Sequence, residues 1–300
     1  LPYSHSYLES TPACLPQTSL STPDKRVSFG AVLLEYPLTF CSYRLLVNGI
    51  KISITLEELG IPYTVRKVDV ANNEQKSEWF QDINPNMRIP AITDTFSDGK
   101  EIRVFESGSI MQYLVGRYDT EHKISYPSGS REWIETNNWL FFMNAGVGPM
   151  QGQANHFFRY AGEQIPYAIE RYQTETKRLY GVLDKHLRDT GLPYLVGDKC
   201  TIADIAHWGW VALARWSLGG EDYPKSPLDE FPALKAWEER MLERPGVQKG
   251  RQVPDKHQRE MLMDPEAMRA FEERGKAFYR KMEEEKRAKE ASDLEEGKAA

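Results

Sequence analysis

Apolar residues recur with a regular period from about residue 50 onward, and that period changes along the chain. The first segment has helical spacing and ends at Gly60 and Pro62; its apolar positions are Ile50, Ile54, Leu56 and Leu59. The next segments are predicted as a strand over 63–70, a short helix or loop over 74–80, a hairpin over 91–105 and a helix from Ser107. This βαβ-then-ββα order predicts a thioredoxin-like domain over residues 43–119.

The second half of the chain shows only the helical period. Thr201-Ile202-Ala203-Asp204 is a capping box, in which each of the two polar side chains accepts from the main-chain N–H of the other residue. Helices are predicted over about 131–160, 165–190, 201–217 and 231–243, after a linker at 120–130. We therefore expect an α/β domain followed by an all-helical domain over residues 131–250.

The two ends of the chain lack this pattern. Residues 1–42 are expected to be an irregular N-terminal extension, disordered over the Ser-, Thr- and Pro-rich 1–26 and with a strand within 27–40. In residues 255–300, basic and acidic residues interleave and apolar residues are few. This predicts a charged helical tail that buries little surface and is dispensable for catalysis.

Composition limits the classes of function. The 300 residues, 40% of them hydrophobic, are enough for two domains with substantial cores. The net charge of −6 and the lack of a basic run argue against nucleic-acid binding. The best apolar run, 31–34, is interrupted by Glu35 and Pro37, which argues against a membrane span. The three cysteines form no CxxC motif, which fits a reducing cytosol, and the six histidines lack metal-ligand spacing.

One informative segment is Ile89-Pro90-Ala91-Ile92, a short apolar run that begins a strand at a proline. A proline at this position can be cis. The main chain of Ile89 is then free to pair with an extended peptide, as an added strand pairs with the edge of a sheet.

A second informative segment is Phe105-Glu106-Ser107-Gly108, which opens the predicted helix. Ser107 at a helix N-terminus offers a hydroxyl and free N–H groups to a carboxylate, and Glu106 could hold an ammonium. The two segments together predict a site for a small zwitterionic peptide. The alternative is structural, with a turn bounded by Pro90 and a serine that only caps its helix.

Both segments, in this order, resemble the glutathione-binding half of the glutathione transferases. In the second half, Gly148-Pro149-Met150-Gln151 and the segment 165–172 are similar to the Nu class of that family and to the fungal nitrogen-regulator prion protein, which shares the fold. The resemblance extends over roughly residues 48–250. It implies a cytosolic, homodimeric protein of the glutathione transferase fold, with glutathione as co-substrate.

The resemblance also implies roles for individual residues. Asn48, directly before Gly49, matches the residue whose amide stabilises the glutathione thiolate, and a plain helix cap is the alternative. Glu106 and Ser107 match the pair that binds the γ-glutamyl part. The remaining matches are Ile89 and Pro90 for the cysteinyl part, Gln75 for the glycyl end, and Trp139, Phe142, Arg159 and Tyr160 as candidate lining residues of the substrate pocket. Core packing is the alternative for the aromatic residues.

One departure from the family pattern concerns the residues before Asn48. Family members have a strand that runs directly into Thr-Pro-Asn-Gly or Ala-Pro-Asn-Gly, whereas Asn48 follows Arg44-Leu45-Leu46-Val47. Tyr3-Ser4-His5 and Thr11-Pro12 are similar to the missing strand and turn. We therefore expect residues 13–47 to be an insertion, of the kind that an unspliced intron produces, which damages the first strand and the thiol pocket.

These implications favour an enzyme that activates the glutathione thiol for attack on an electrophilic small molecule, in detoxification or secondary metabolism. Two alternatives stay open: glutathione-dependent disulfide reduction, which Nu-class enzymes favour, and a non-catalytic regulator that binds a partner. The regulator family has a long Asn-rich N-terminal segment, and residues 1–47 contain no Asn. The expected partners are glutathione, an electrophile or disulfide, and a second copy of the chain, without metal, nucleic acid or membrane.

Overall fold

The described part of the chain comprises residues 38–42, 47–219, 225–257, 259, 262 and 264–299 of a computed structural model. All of these residues belong to one unit of the chain, residues 36–300. The predictions of disorder over 1–26 and of a first strand near Tyr3-Ser4-His5 lie outside the described residues.

Four strands form one mixed sheet in the order β2-β1-β3-β4. They are β1 Thr39–Ser42, β2 Thr64–Lys67, β3 Ala91–Thr95 and β4 Glu101–Phe105. β1 pairs in parallel with β2 and antiparallel with β3, so Phe40 lies between Val65 and Ile92. β3 and β4 form the predicted hairpin. This sheet, followed by helices, confirms the expected thioredoxin-like and all-helical architecture.

The first strand corrects the expected start of the domain. β1 precedes residue 43 and lies inside the 13–47 segment that was expected to be an insertion. It is a central strand with Phe40 fully buried, so the sheet cannot form without it. The domain therefore begins at or before Leu38. For residues 13–37, which are not described, the insertion stays a prediction.

The described residues contain eleven α-helices. They are α1 Val47–Leu59, α2 Glu78–Ile83, α3 Ser107–Tyr118, α4 Arg131–Phe142, α5 Gly148–Asn155, α6 Pro166–Thr190, α7 Ile202–Val211, α8 Ala214–Leu218, α9 Pro232–Leu242, α10 Pro245–Gly250 and α11 Pro265–Ala299. Two π-helical turns, Met143–Val147 and His156–Tyr160, flank α5.

Helix α1 joins the thioredoxin-like domain to the helical domain, because it packs against α3 of the first domain and against α7 and α10 of the second. The approach of α10 requires a glycine, since a Cβ at Gly250 would lie 2.5 Å from main-chain atoms of Ile54. Arg244 adds a bidentate ion pair, with its Nε and Nη2 at 2.9 and 2.7 Å from the two carboxylate oxygens of Glu58. The position of α1 is therefore fixed from both domains.

Helix α7 is the centre of the helical domain, and all of its residues are buried. The predicted capping box is confirmed: Thr201 N–H donates to Asp204 at 2.9 Å, and the Thr201 hydroxyl accepts from the main chain of α7. Asp204 also accepts from Leu195 N–H and from the indole of Trp237, each at 2.9 Å. This carboxylate therefore joins three segments of the domain.

The structure corrects the expectation that the tail buries little surface, whereas its dispensability for catalysis stays a prediction. Helix α11 is charged along most of its length, but Phe271 is 6% exposed and packs with Trp216, Leu213 and Leu262 in a separate apolar cluster. Phe271 and Trp216 meet edge to face, with ring centroids 4.8 Å apart. The sequence pattern did not predict this contact because the tail has few apolar residues. One of them, Phe271, nevertheless lies against Trp216 of α8.

Candidate functional site

Glu106 and Ser107 lie at the turn between β4 and α3. Ser107 is the first residue of α3 and is 7% exposed, so its hydroxyl sits at the positive end of a 12-residue helix. Glu106 has a φ of 68°, in a region that non-glycine residues seldom adopt and that is concentrated at functional sites. A Cβ at Gly108 would lie 2.3 Å from the amide nitrogen of Asn144, so the helical domain approaches this turn closely.

The Ile89–Pro90 peptide bond is cis, and Pro90 directly precedes β3. Ile89 is buried and packs with Ala91 and Phe105. Because Ala91 pairs with Phe105 across the β3–β4 ladder, this proline and the Glu106–Ser107 turn leave the sheet at the same end. The structure thus brings together the two segments from which the peptide site was predicted.

Gln75 lies in the 3₁₀ turn Glu74–Lys76, between β2 and α2. It is 7% exposed rather than a solvated surface residue. Within the described part of the chain, its side-chain oxygen is buried and accepts no hydrogen bond. A buried amide oxygen without a donor is unusual in a folded protein, so this group has capacity for a ligand N–H.

Asn48 is the second residue of α1 and is half-buried. A capping asparagine stands before the first turn and accepts from N–H groups two or three residues later. Asn48 lies inside the helix, and its amide makes no such bond to the described residues. Asn48 therefore makes no capping hydrogen bond within the described part of the chain, and its role toward the glutathione thiolate stays a prediction.

Ser42 supplies a hydroxyl near the start of α1, although it is not adjacent to Asn48 in the sequence. It ends β1 and is fully buried, and its hydroxyl has no hydrogen-bond partner among the described residues. A Cβ at Gly49 would lie 2.8 Å from this oxygen. The end of β1 and the start of α1 are therefore in direct contact.

Lys51 was missed by the sequence analysis. It follows Asn48 by three residues and so lies on the same face of α1. It is 1% exposed, and its Nζ is 3.5 Å from the Ser107 hydroxyl and 3.0 Å from the sulfur of Met143. Burial lowers the pKa of Lys51 to about 7, although the nearby Glu106 carboxylate acts in the opposite direction. A lysine on an amphipathic helix is normally expected to be solvated. The burial of Lys51 becomes visible only in the structure, where the two domains pack against each other.

Trp139 and Phe142 pack within the helical domain. The two rings meet edge to face at 5.4 Å, and Trp139 also contacts His186 at a centroid distance of 4.4 Å. Phe142 stacks on the ring of His207 on α7, at 6.1 Å. Both are half-buried against the main core, which agrees with the structural alternative. Phe141 between them in sequence is 60% exposed.

Arg159 is not free to contact a substrate in this structure. It is 8% exposed and donates to the main-chain oxygens of Trp216 and Gly219 at 3.0 and 2.9 Å. Its Nη1 forms an ion pair with Glu272 of α11 at 2.8 Å. The expectation that Arg159 lines the substrate pocket is therefore corrected: Arg159 joins the tail helix α11 to α8.

Tyr160 also faces the tail. Its hydroxyl accepts from the indole of Trp216 at 2.9 Å, and its ring stacks on Tyr279 with centroids 4.9 Å apart. It lines a cavity of about 220 Å³ together with Lys276 and Arg280 of α11. The surroundings of Tyr160 are thus formed largely by a segment that the sequence pattern had treated as solvated.

Within the described residues, no group of three or more His, Cys, Asp or Glu side chains is placed to hold a metal ion. Over the same residues, no helix combines the length and the apolar character needed to cross a membrane.

Comparison with known families gives two matches. The glutathione S-transferase N-terminal domain matches residues 48–116, and the glutathione S-transferase C-terminal domain matches residues 142–245. The first match begins at Asn48.

Individual relatives are similar over most of their length. The glutathione S-transferase-like protein tpcF of Aspergillus fumigatus is 41% identical over 209 residues, which are 68% of this chain and 90% of that protein. The disulfide-bond oxidoreductase YfcG of Escherichia coli is 44% identical over 202 residues, 67% of this chain and 88% of that protein. A crystal structure of a glutathione transferase homologue from Lodderomyces elongisporus, with two glutathione molecules per subunit, matches with a TM-score of 0.66 and 43% identity, over 73% of this chain and 99% of that one.

Proposed function

This chain belongs to the glutathione S-transferase family, and we propose that it binds glutathione and activates its thiol. The observation that carries the proposal is the meeting of two segments at one end of the sheet, Ile89–Pro90 and Glu106–Ser107. The glutathione in the Lodderomyces relative supports the choice of ligand.

Each part of glutathione has a matching group in this site. The carboxylate of the γ-glutamyl part accepts hydrogen bonds from the Ser107 hydroxyl and the N–H groups at the start of α3. The ammonium of the same part pairs with the Glu106 carboxylate. The main chain of Ile89 pairs with the cysteinyl part, as in β-augmentation. Gln75, whose buried side-chain oxygen has no partner among the described residues, contacts the glycyl end.

We assign the sulfur for the reaction to glutathione, because neither cysteine in the described part of the chain is a suitable nucleophile. Cys41 and Cys200 are both buried, and burial raises the pKa of the Cys41 thiol to about 11. A protonated, buried thiol is a poor nucleophile. Asn48 at the start of α1 supplies an amide N–H and a helix N-terminus to the ligand sulfur, which favours the thiolate over the thiol.

Two reactions use such a thiolate. In conjugation, the sulfur forms a bond to an electrophilic carbon, and the electron pair leaves with a leaving group or is protonated. In disulfide reduction, the thiolate attacks one sulfur of a disulfide, releases the other as a thiolate and leaves a mixed disulfide for a second glutathione. The 41% identity to tpcF favours the first reaction, and the 44% identity to YfcG makes the second a full candidate.

The purified protein should be assayed with glutathione against an aromatic conjugation acceptor and, separately, against a small-molecule disulfide. Activity with either substrate supports the proposal and identifies the reaction. Glutathione binding in calorimetry without either activity would leave a binding protein. Failure to bind glutathione would refute the proposal.

We also propose that the protein is a cytosolic homodimer. Ile134 and Phe141 on α4 are 50% and 60% exposed, which is typical of apolar residues that a second copy covers. The described free cysteines are consistent with a reducing compartment. Light scattering of the eluted protein tests the dimer, and a mass of one chain would refute it.

A further inference from the structure

Lys51 is a buried amino group that has no ion-pair partner among the residues that the structure describes. Its Nζ contacts the Ser107 hydroxyl, the sulfur of Met143 and, at 6.0 Å, the ring face of Trp210. None of the ion pairs formed among the described residues includes Lys51. All of its contacts are therefore to neutral groups.

Such an arrangement is unfavourable for folding alone. Moving an ammonium out of water costs several kcal/mol, and the cost is recovered only when a counter-charge and hydrogen bonds are supplied. A methionine or leucine would fill the same space between α1 and the helical domain without this cost. The position of this amino group therefore calls for a partner that the described residues do not supply.

The charged groups that face Lys51 do not supply this partner. Glu106, on the turn before α3, is near enough to favour the protonated form but makes no ion pair with Lys51 within the described structure. His207 on α7 is fully buried, and burial lowers its pKa to about 4, so its ring is neutral at physiological pH. Because neither described group pairs with Lys51, an anion that enters the site from solvent can supply the counter-charge.

The contact with Ser107 indicates where that anion binds. An ammonium only donates hydrogen bonds, so the Ser107 oxygen accepts from Lys51 and its O–H proton points elsewhere. Ser107 starts α3, so a carboxylate at that helix end receives the hydroxyl proton and the N–H groups of the first turn. The Nζ of Lys51 lies 3.5 Å from this hydroxyl, next to the donor set.

Taking the proposed glutathione-binding function as its basis, we propose that Lys51 is a positioning residue for the γ-glutamyl carboxylate of glutathione. It orients the Ser107 hydroxyl as a donor and supplies the buried counter-charge of the bound carboxylate. Glutathione in turn supplies the anion that Lys51 does not find among the described residues.

A pair of ligands and a pair of variants test this role. The first ligand is S-methylglutathione, whose sulfur cannot ionise, and the second is its analogue with 4-aminobutyrate in place of γ-glutamate, which lacks only the carboxylate. Lys51→Met removes the ammonium and keeps a flexible apolar side chain. Lys100→Met, at an exposed position before β4, is the control for the loss of one positive charge.

Lys51→Met should bind S-methylglutathione about tenfold more weakly than the wild type, because a charge-assisted interaction is lost. It should bind the analogue with wild-type affinity, and Lys100→Met should match the wild type with both ligands. Equal weakening with both ligands would show a structural role, and unchanged affinity for S-methylglutathione would show no role. Either result would overturn the inference.

Proton uptake by the wild type gives a second test that requires no variant. At pH 8, Lys51 is mostly neutral in the free protein and His207 has already lost its proton, so we assign a proton taken up with the ligand to Lys51. Calorimetry in two buffers of different ionisation enthalpy should show uptake of more than about half a proton with S-methylglutathione and little with the analogue. Absence of uptake with S-methylglutathione would overturn the role of Lys51. Absence of any binding to the wild type would instead refute the proposed function itself.

Discussion

Truncation of the chain after Pro254 should destabilise the protein, because it uncovers groups that the tail buries. Phe271 is 6% exposed and Leu262 is 3% exposed, and both cover Trp216. Loss of a buried phenylalanine costs about 3–5 kcal/mol in a core, and loss of one partner of a buried charge-assisted pair costs a further 1–3 kcal/mol or so. Truncation also removes Arg259, whose guanidinium donates to both carboxylate oxygens of the buried Glu238. Arg159 keeps its two main-chain acceptors and water can solvate the uncovered edge, so we expect a loss of at least about 3 kcal/mol.

The assay is thermal and chemical denaturation followed by circular dichroism. A loss of about 3 kcal/mol corresponds to a melting temperature lower by roughly 6–12 °C for a domain of this size. Truncation after Arg287 is the matched control, since it keeps Phe271, the Arg159–Glu272 ion pair and the Asn73–Glu285 hydrogen bond. An unchanged melting temperature after removal of residues 255–300 would refute the packing of α11 on α8.

Three further predictions follow from the described contacts. Asp204→Ala should cost about 3–5 kcal/mol of stability, because it leaves buried N–H groups of Leu195, Trp237 and Thr201 without an acceptor, and chemical denaturation should show it. Ser107→Ala should weaken glutathione binding about tenfold or more in calorimetry, whereas the exposed Ser109→Ala should not; equal affinities would mean that Ser107 only begins its helix. The affinity for S-methylglutathione should be highest below pH 7 and should decline as the pH rises, because the complex favours the protonated form of Lys51, whose pKa in the free protein is about 7; a flat profile between pH 6 and 9 would contradict this sign.

Local sequence patterns predicted the elements that depend on local chemistry. The hairpin of β3 and β4 and the start of α3 at Ser107 follow from alternation and turn residues, and the capping box of α7 follows from four adjacent residues. Each of these elements is determined by residues that are close together in the sequence, so periodicity and turn chemistry are sufficient to predict it.

Three features that depend on distant residues were mispredicted or missed. β1 is only four residues long, and its sequence Thr-Phe-Cys-Ser has no strong strand pattern. It is buried because it lies between β2 and β3 in the sheet. Lys51 is buried because Met143, 92 residues later, covers it. Arg159 forms an ion pair with Glu272, which lies 113 residues away in the sequence. Its match to a substrate-pocket residue of the family could not predict this contact with the tail.

The stabilisation of the glutathione thiolate by Asn48 is the central claim, and the ultraviolet absorbance of the bound thiolate measures it directly. Titration of the complex over pH 5–10 should give a pKa for bound glutathione clearly below the value of about 8.5 for a free thiol. Asn48→Ala should raise that pKa toward the free value and slow turnover, while glutathione affinity changes much less, because Ile89, Glu106 and Ser107 hold the peptide. A wild-type complex that titrates at the free value, or an Asn48→Ala complex with an unchanged titration, would contradict the account.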